Sequence, residues 1–170
     1  MRTRPATVDD AAAIGVVHVR SWQVTYAGLV PQSYLDAMDP VARGQRWAEI
    51  LAAVVPPAGT TVLESEASEL IGFASVIPSD DPDATPTTGQ LGALYLDPDH
   101  WGRGGGRLLM ADAVDRLTAA GFSTATLWVL NGNARARRFY DAAGWRPDGV
   151  TQLDDSRGFP LDEVRYRRPL

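Results

Sequence analysis

A chain of 170 residues with a formal charge of −5 has enough sequence for one domain with its own core, and its acidity argues against a general nucleic-acid binder, which needs a basic face for phosphate. It has no cysteine and no lysine, which excludes disulfides, zinc–thiolate clusters, thiol nucleophiles and lysine Schiff bases; its two histidines, His18 and His100, are too few and too far apart to suggest a metal site. No apolar run approaches 18 residues and no apolar stretch follows the charges of Met1–Pro5, so neither a membrane span nor a secretory leader is expected, and the cytoplasm is the default location.

Met1 to Ala6 reads as a short strand, and Thr7 is placed to cap a helix whose apolar period carries Ala13, Val16, Val17 and Arg20. Leu29-Val30-Pro31 breaks it, Gln32 to Met38 gives a short second helix, and Val41 to Val54 a third that Pro56-Pro57 stops. The period then changes. Thr60–Glu64 and Leu70–Ile77 are β-branched and apolar about an acidic turn, which predicts a hairpin. Residues 78–89, rich in Pro, Asp and Thr, read as a loop, and Leu91 to Leu96 as the next strand. Met110, Ala113, Val114 and Leu117 fall at i, i+3, i+4, i+7 of a helix that Gly121 ends. Thr124 to Leu130 returns to strand, Ala136, Phe139, Tyr140 and Ala143 repeat the helical spacing as far as Gly144, and Gly149–Leu153 and Leu161–Arg167 resemble two closing strands.

Two runs carry chemistry. In the first, Leu94-Tyr95-Leu96 leads through Trp101-Gly102-Arg103-Gly104-Gly105-Gly106-Arg107 into a helix. Glycines let successive backbone N–H groups turn inward, and the helix start adds unpaired donors and the positive dipole end, so a pyrophosphate fits without a metal, with Arg103 and Arg107 adding charge. A P-loop would require lysine, which is absent, and a dinucleotide fingerprint would require glycine where Arg107 stands. Taken alone, the loop also fits a structural turn that needs positive φ. In the second run, Asn133 is placed to cap the helix bearing Ala136, Arg138, Phe139 and Tyr140.

Together the two runs resemble the GNAT superfamily of N-acetyltransferases. The family's acetyl-CoA motif, Arg/Gln-x-x-Gly-x-Gly/Ala, is met by Gly104 and Gly106 with Trp101 in the first place, and its later motif, Asn-x-x-Ala-x-x-Phe-Tyr-x-x-x-Gly-Phe, by Asn133, Ala136, Phe139, Tyr140 and Gly144 with Trp145 last. The resemblance covers about residues 60–168 and implies an α/β (α+β) fold: a mixed, mostly antiparallel sheet of about six or seven strands flanked by helices, in a single domain spanning 1–170, with a splayed strand pair for coenzyme A. It implies acetyl transfer from acetyl-CoA, without a metal, to an amine of a small molecule or peptide.

On that resemblance Leu94, Tyr95, Leu96, Gly102, Arg103, Gly104, Gly105, Gly106, Arg107, Asn133, Ala136, Arg138 and Phe139 hold the cofactor. The Leu96 N–H polarises the thioester carbonyl, and Tyr140 protonates the leaving thiolate. Many relatives place a basic glutamate near Gln90, and glutamine cannot fill that role, although it could hold a water that relays the proton. Trp22 and Tyr26 read either as the wall of an amine pocket or as core aromatics. Two alternatives stay open: a non-catalytic CoA-binding module, kept alive by Gln90, and an enzyme for a bulkier acyl group, for which Gly92 and Ala93 leave space. Dimerisation through the last strands is common in that family, and the sequence fixes neither the oligomeric state nor the acceptor.

Overall fold

Apolar residues on both faces of the central strands require helices on both sides of the sheet. In the computed structural model, which describes residues 1–170, the strands are β1 (Arg2–Pro5), β2 (Gly59–Glu64), β3 (Leu70–Pro78), β4 (Thr88–Leu96), β5 (Thr124–Leu130), β6 (Arg146–Asp154) and β7 (Leu161–Pro169). The helices are α1 (Ala11–Thr25), α2 (Gln32–Asp36), α3 (Pro40–Ala53), α4 (Gly105–Ala119) and α5 (Ala134–Ala142). One seven-stranded sheet runs in the order β1-β2-β3-β4-β5-β7-β6, antiparallel throughout except for the β4–β5 pair. No helix is long and apolar enough to cross a membrane.

Adjacent residues of one strand serve opposite layers, as the two-residue period requires. Val62 and Phe73 pack with Ile14, Val17, Trp47 and Leu51 of α1 and α3, whereas Leu63, Ile71 and Ala74 pack with Leu109, Met110, Ala113 and Leu117 of α4. Leu109 and Leu117 are fully buried, each contributing roughly 1.5–3 kcal/mol. That packing holds α4, and hence its N-terminus, against β4.

The feature that positions a site is the divergence of β4 from β5. They pair only over Thr88–Gln90 and Thr124–Thr126, while β5 pairs along its whole length with β7. On its other edge β4 shifts register against β3 between Ser75 and Val76, leaving Gly92 as the extra residue of a bulge. A bulge bends its strand, and from Gly92 onward β4 leaves β5.

Two expectations are corrected. In α1, Val17 is buried but Ala13, Val16 and Arg20 are exposed; the packed face is Ala11, Ile14, Gly15, His18 and Trp22. Gly15 decides this, because a Cβ there would lie 2.5 Å from the Gly44 backbone nitrogen of α3, so the helices meet at their smallest residues. Thr7 holds the N-cap of the short turn Val8–Asp10 that leads into α1, as expected, and its N–H (2.8 Å) and hydroxyl (3.1 Å) donate to Asp10, which Arg4 also grips. The loop at 78–89 ends two residues early, since Thr88 and Gly89 begin β4. Gly89 sits where a side chain would strike Leu117 at 2.5 Å, so its small size marks close packing rather than a turn.

Candidate active site

The gap between β4 and β5 opens a cleft of about 800 Å3. Its β4 wall exposes unpaired backbone. The Asp97 N–H donates to the Ile71 carbonyl at 2.8 Å, so residue 97 faces β3 and Leu96, by alternation, directs its N–H and carbonyl into the gap. That carbonyl accepts from Trp101 Nε1 at 2.9 Å, and the N–H stays available. Tryptophan in the motif's first place therefore ties the glycine turn to the end of β4. The Arg135 guanidinium stacks 3.5 Å from its ring centroid, and burial lowers the Arg135 pKa.

At one end of the cleft lies the start of α4. The N–H groups of Gly102 through Gly106 donate to no backbone carbonyl, the first return being Arg107 N–H to the Gly104 carbonyl at 3.0 Å. Gly102 (φ 77°) and Gly104 (φ 90°) take left-handed conformations that a side chain would strain. A pyrophosphate needs converging N–H donors and an approach free of side chains, and this turn has both. Gly102, Gly104, Gly106 and Arg107 line the cleft. Arg103 is exposed outside it, and Gly105 packs under Leu63, which a Cβ would meet at 2.8 Å.

The α5 wall brings together Asn133, Ala136, Phe139 and Tyr140, while Arg138 points away to solvent. Asn133 is buried, and its Oδ1 accepts from the Ala136 N–H at 3.0 Å, fixing the first turn of α5. The Tyr166 hydroxyl is taken by Arg137 at 3.3 Å, whereas that of Tyr140 has no partner within the protein. Burial, with Tyr95 nearby, pushes the Tyr140 pKa up, so the hydroxyl keeps its proton at neutral pH.

A second, polar cavity of about 230 Å3 adjoins the cleft across Tyr26, Leu91, Gly92, Tyr95 and Trp128, which line both. Tyr26 is also raised by burial and then by Tyr95 and Tyr140. Gln90, Trp22, Asp154, Arg157 and Glu163 complete the second cavity. The Trp22 and Tyr26 rings meet edge-on at 4.6 Å in the cluster around Leu35, and both residues line the cavity. Arg135, Trp128, Arg168, Asp154 and Glu163 line these spaces with no motif to announce them. Arg135 sits on α5 within the Asn133 run, whereas Trp128, Arg168 and Glu163 reach the site through β5–β7 pairing across more than 30 residues and Asp154 follows on β6, which leaves no local signal.

Residues 18–145 match the model of the acetyltransferase (GNAT) family. The chain belongs to that family. It is an acetyl-CoA-dependent N-acetyltransferase. An uncharacterized N-acetyltransferase of Bacillus subtilis, YuaI, is 31% identical over 162 residues, spanning 95% of this acetyltransferase and 88% of that protein. A mycothiol acetyltransferase of Sanguibacter keddieii is 34% identical over 139 residues, 81% of this chain but only 40% of that longer enzyme. Among solved structures, a PaiA N-acetyltransferase from Thermoplasma acidophilum in complex with coenzyme A superposes with a TM-score of 0.76 at 18% identity, over 99% of this chain and 98% of its own. A ribosomal-protein-alanine N-acetyltransferase from Brucella melitensis does so with a TM-score of 0.77 at 21% identity over the whole of both. At those identities the likeness is one of fold: the seven-stranded GNAT sheet with its flanking helices.

Proposed function

We propose that residues 1–170 act as one catalytic unit that moves the acetyl group of acetyl-CoA directly onto an amine of a small molecule or peptide, held in the cavity beside the β4–β5 gap. The observation that carries this reading is the row of five unpaired N–H groups, Gly102–Gly106, at one end of a cleft whose flank opens into a second, polar cavity. When bound, acetyl-CoA supplies an activated acyl carbon and a thiolate leaving group. The turn at Gly102–Gly106, with Arg107, receives the phosphates; the free edge of β4 aligns the arm that follows them. The Leu96 N–H faces the gap and donates to oxygen charge that develops there as the amine attacks.

Tyr140 gives its proton to the leaving sulfur. Two features support this: burial keeps the hydroxyl protonated, and no group of the protein competes for it. Replacing Tyr140 by Phe removes the proton and leaves the ring. Acetyl transfer to an amine then falls about 10²–10⁴-fold in kcat, while the affinity for acetyl-CoA is unchanged. A loss below about tenfold would reassign Tyr140 to packing.

A further inference from the structure

Gln90 lines the acceptor cavity but has no titratable proton, so the group that takes the acceptor's proton lies elsewhere. A primary ammonium titrates at about 8–10 and must become neutral before it can attack. Two carboxylates line the cavity. Asp154 is committed: its oxygens accept from Arg157 and, at 2.9 Å, from the Ser156 N–H, and these contacts hold its pKa down. Glu163 on β7 has only a neutral donor, Gln152 Nε2 at 2.8 Å from β6, and no basic side chain bonds to it. Burial raises its pKa.

Trp22 also lines this cavity. The Trp22 indole N–H is buried and unpartnered, in a side chain 7% exposed. Burial raises the pKa of its neighbour Tyr95 and Trp22 pulls it down, but the two do not meet in hydrogen-bond geometry. The groups that can influence Glu163 are Tyr26 just after α1, Tyr95 from β4, Asp154 from β6 and Arg157 from the β6–β7 turn.

We propose that Glu163 binds the acceptor's ammonium and removes its proton. This rests on the acetyltransferase reading. The ammonium gives one proton to the Glu163 carboxylate, and the neutral nitrogen attacks the acyl carbon as the carbon–sulfur bond breaks. The nitrogen loses a second proton as the amide forms, which replaces the one Tyr140 gives to the sulfur, so Tyr140 is restored and one proton per turnover is released to solvent, through Glu163. Gln152 keeps the carboxylate aimed while the other oxygen meets the amine.

The test has two arms, with ethanolamine as the amine. The chain has only five glutamates, so the Glu163 carboxyl can be followed by carbon-13 NMR and assigned with Glu163→Gln. In the cofactor-free protein it titrates above an ordinary glutamate and shifts on adding ethanolamine. This reads Glu163 whether or not acetyl-CoA binds. Kinetically, kcat/KM for ethanolamine falls on the acid side as Glu163 protonates. Glu163→Gln lowers kcat/KM at least 10²-fold at pH 7 and abolishes that limb, but keeps the thermal shift with acetyl-CoA. A Glu163 resonance that titrates normally or ignores ethanolamine overturns the proposal, as does a Glu163→Gln enzyme that keeps the acid limb. Absence of a thermal shift in both proteins would instead count against the cofactor reading, with the NMR result for Glu163 still standing.

Discussion

Three adjacent glycines at the start of α4 should respond to alanine in three different ways. Gly104 has φ +90°, and a Cβ there meets only Arg107 Nη2 at 3.7 Å, so Gly104→Ala clashes with nothing but holds an L-residue in a left-handed conformation at about 1–2 kcal/mol. Gly105 has an ordinary φ, but its Cβ would lie 2.8 Å from Cδ2 of Leu63, which is fully buried and has nowhere to move. The overpacking cost is about 1–3 kcal/mol, less up to about 1 kcal/mol regained in helix propensity. The Cβ of Gly106→Ala meets the Phe139 ring at 3.4 Å, an ordinary contact, so the same helical gain is uncompensated and the free protein is unchanged or stabilised. At about 2–4 °C per kcal/mol for a chain of this size, the first two substitutions lower Tm by roughly 2–8 °C and the third does not. Ligand binding reverses the order. Saturating acetyl-CoA at about 100 times Kd adds about 2.7 kcal/mol, or roughly 5–10 °C. Gly106→Ala puts its methyl between α4 and Phe139, inside the cleft, and loses much of that shift although its fold is intact. Thermal unfolding with and without acetyl-CoA measures both. A Gly106→Ala protein as destabilised as Gly105→Ala would refute the packing argument; one with an undiminished acetyl-CoA shift would refute the placement of the cofactor along α4.

Gly15→Ala drives a Cβ to 2.5 Å from Gly44 N and 2.6 Å from the Pro40 carbonyl, both backbone, so it should be the most damaging alanine in the chain, at about 3 kcal/mol or more by urea unfolding. Arg165, 2% exposed, pairs with Asp81 (3.3 Å), Asp83 (2.5 Å) and Asp148 (2.8 Å); Arg165→Met leaves the buried Asp81 with only the neutral donors Thr126 and Trp128 and should cost about 3 kcal/mol, with Asp81→Asn in the same chain restoring part of it. Burial, then Arg43 and Arg157, pushes the His18 pKa down to about 3, and its Nδ1 accepts from Trp47 Nε1 at 3.1 Å. The unfolded chain therefore takes up a proton near pH 6.5 that the folded chain refuses, and stability falls from about pH 6.5 toward 3 by up to about 1.4 kcal/mol per pH unit. Asp10, held down to about 2 by Arg4, adds acid loss only below its unfolded value near 3.8, so a slope between pH 6.5 and 4.5 that vanishes in His18→Gln belongs to the histidine.

The sequence by itself determined what depends on neighbours along the chain. The period of Met110, Ala113 and Leu117 specifies α4, the β-branched runs specify the central strands, and the glycine turn after Leu96 specifies a helix start with unpaired N–H groups, because propensity, period and turn chemistry are local. The Asn133–Tyr140 spacing likewise announced one wall of the cleft. Tertiary structure decided what depends on distant partners. Which face of α1 is buried followed from the meeting of Gly15 with Gly44, 29 residues apart, and the gap itself from three pairs between β4 and β5 followed by the bulge at Gly92. A glutamine at position 90 left the proton's destination open in the sequence. Only the return of β7 alongside β5 sets Glu163 in the same cavity, since strand order, and not chain order, fixes which carboxylate faces the amine.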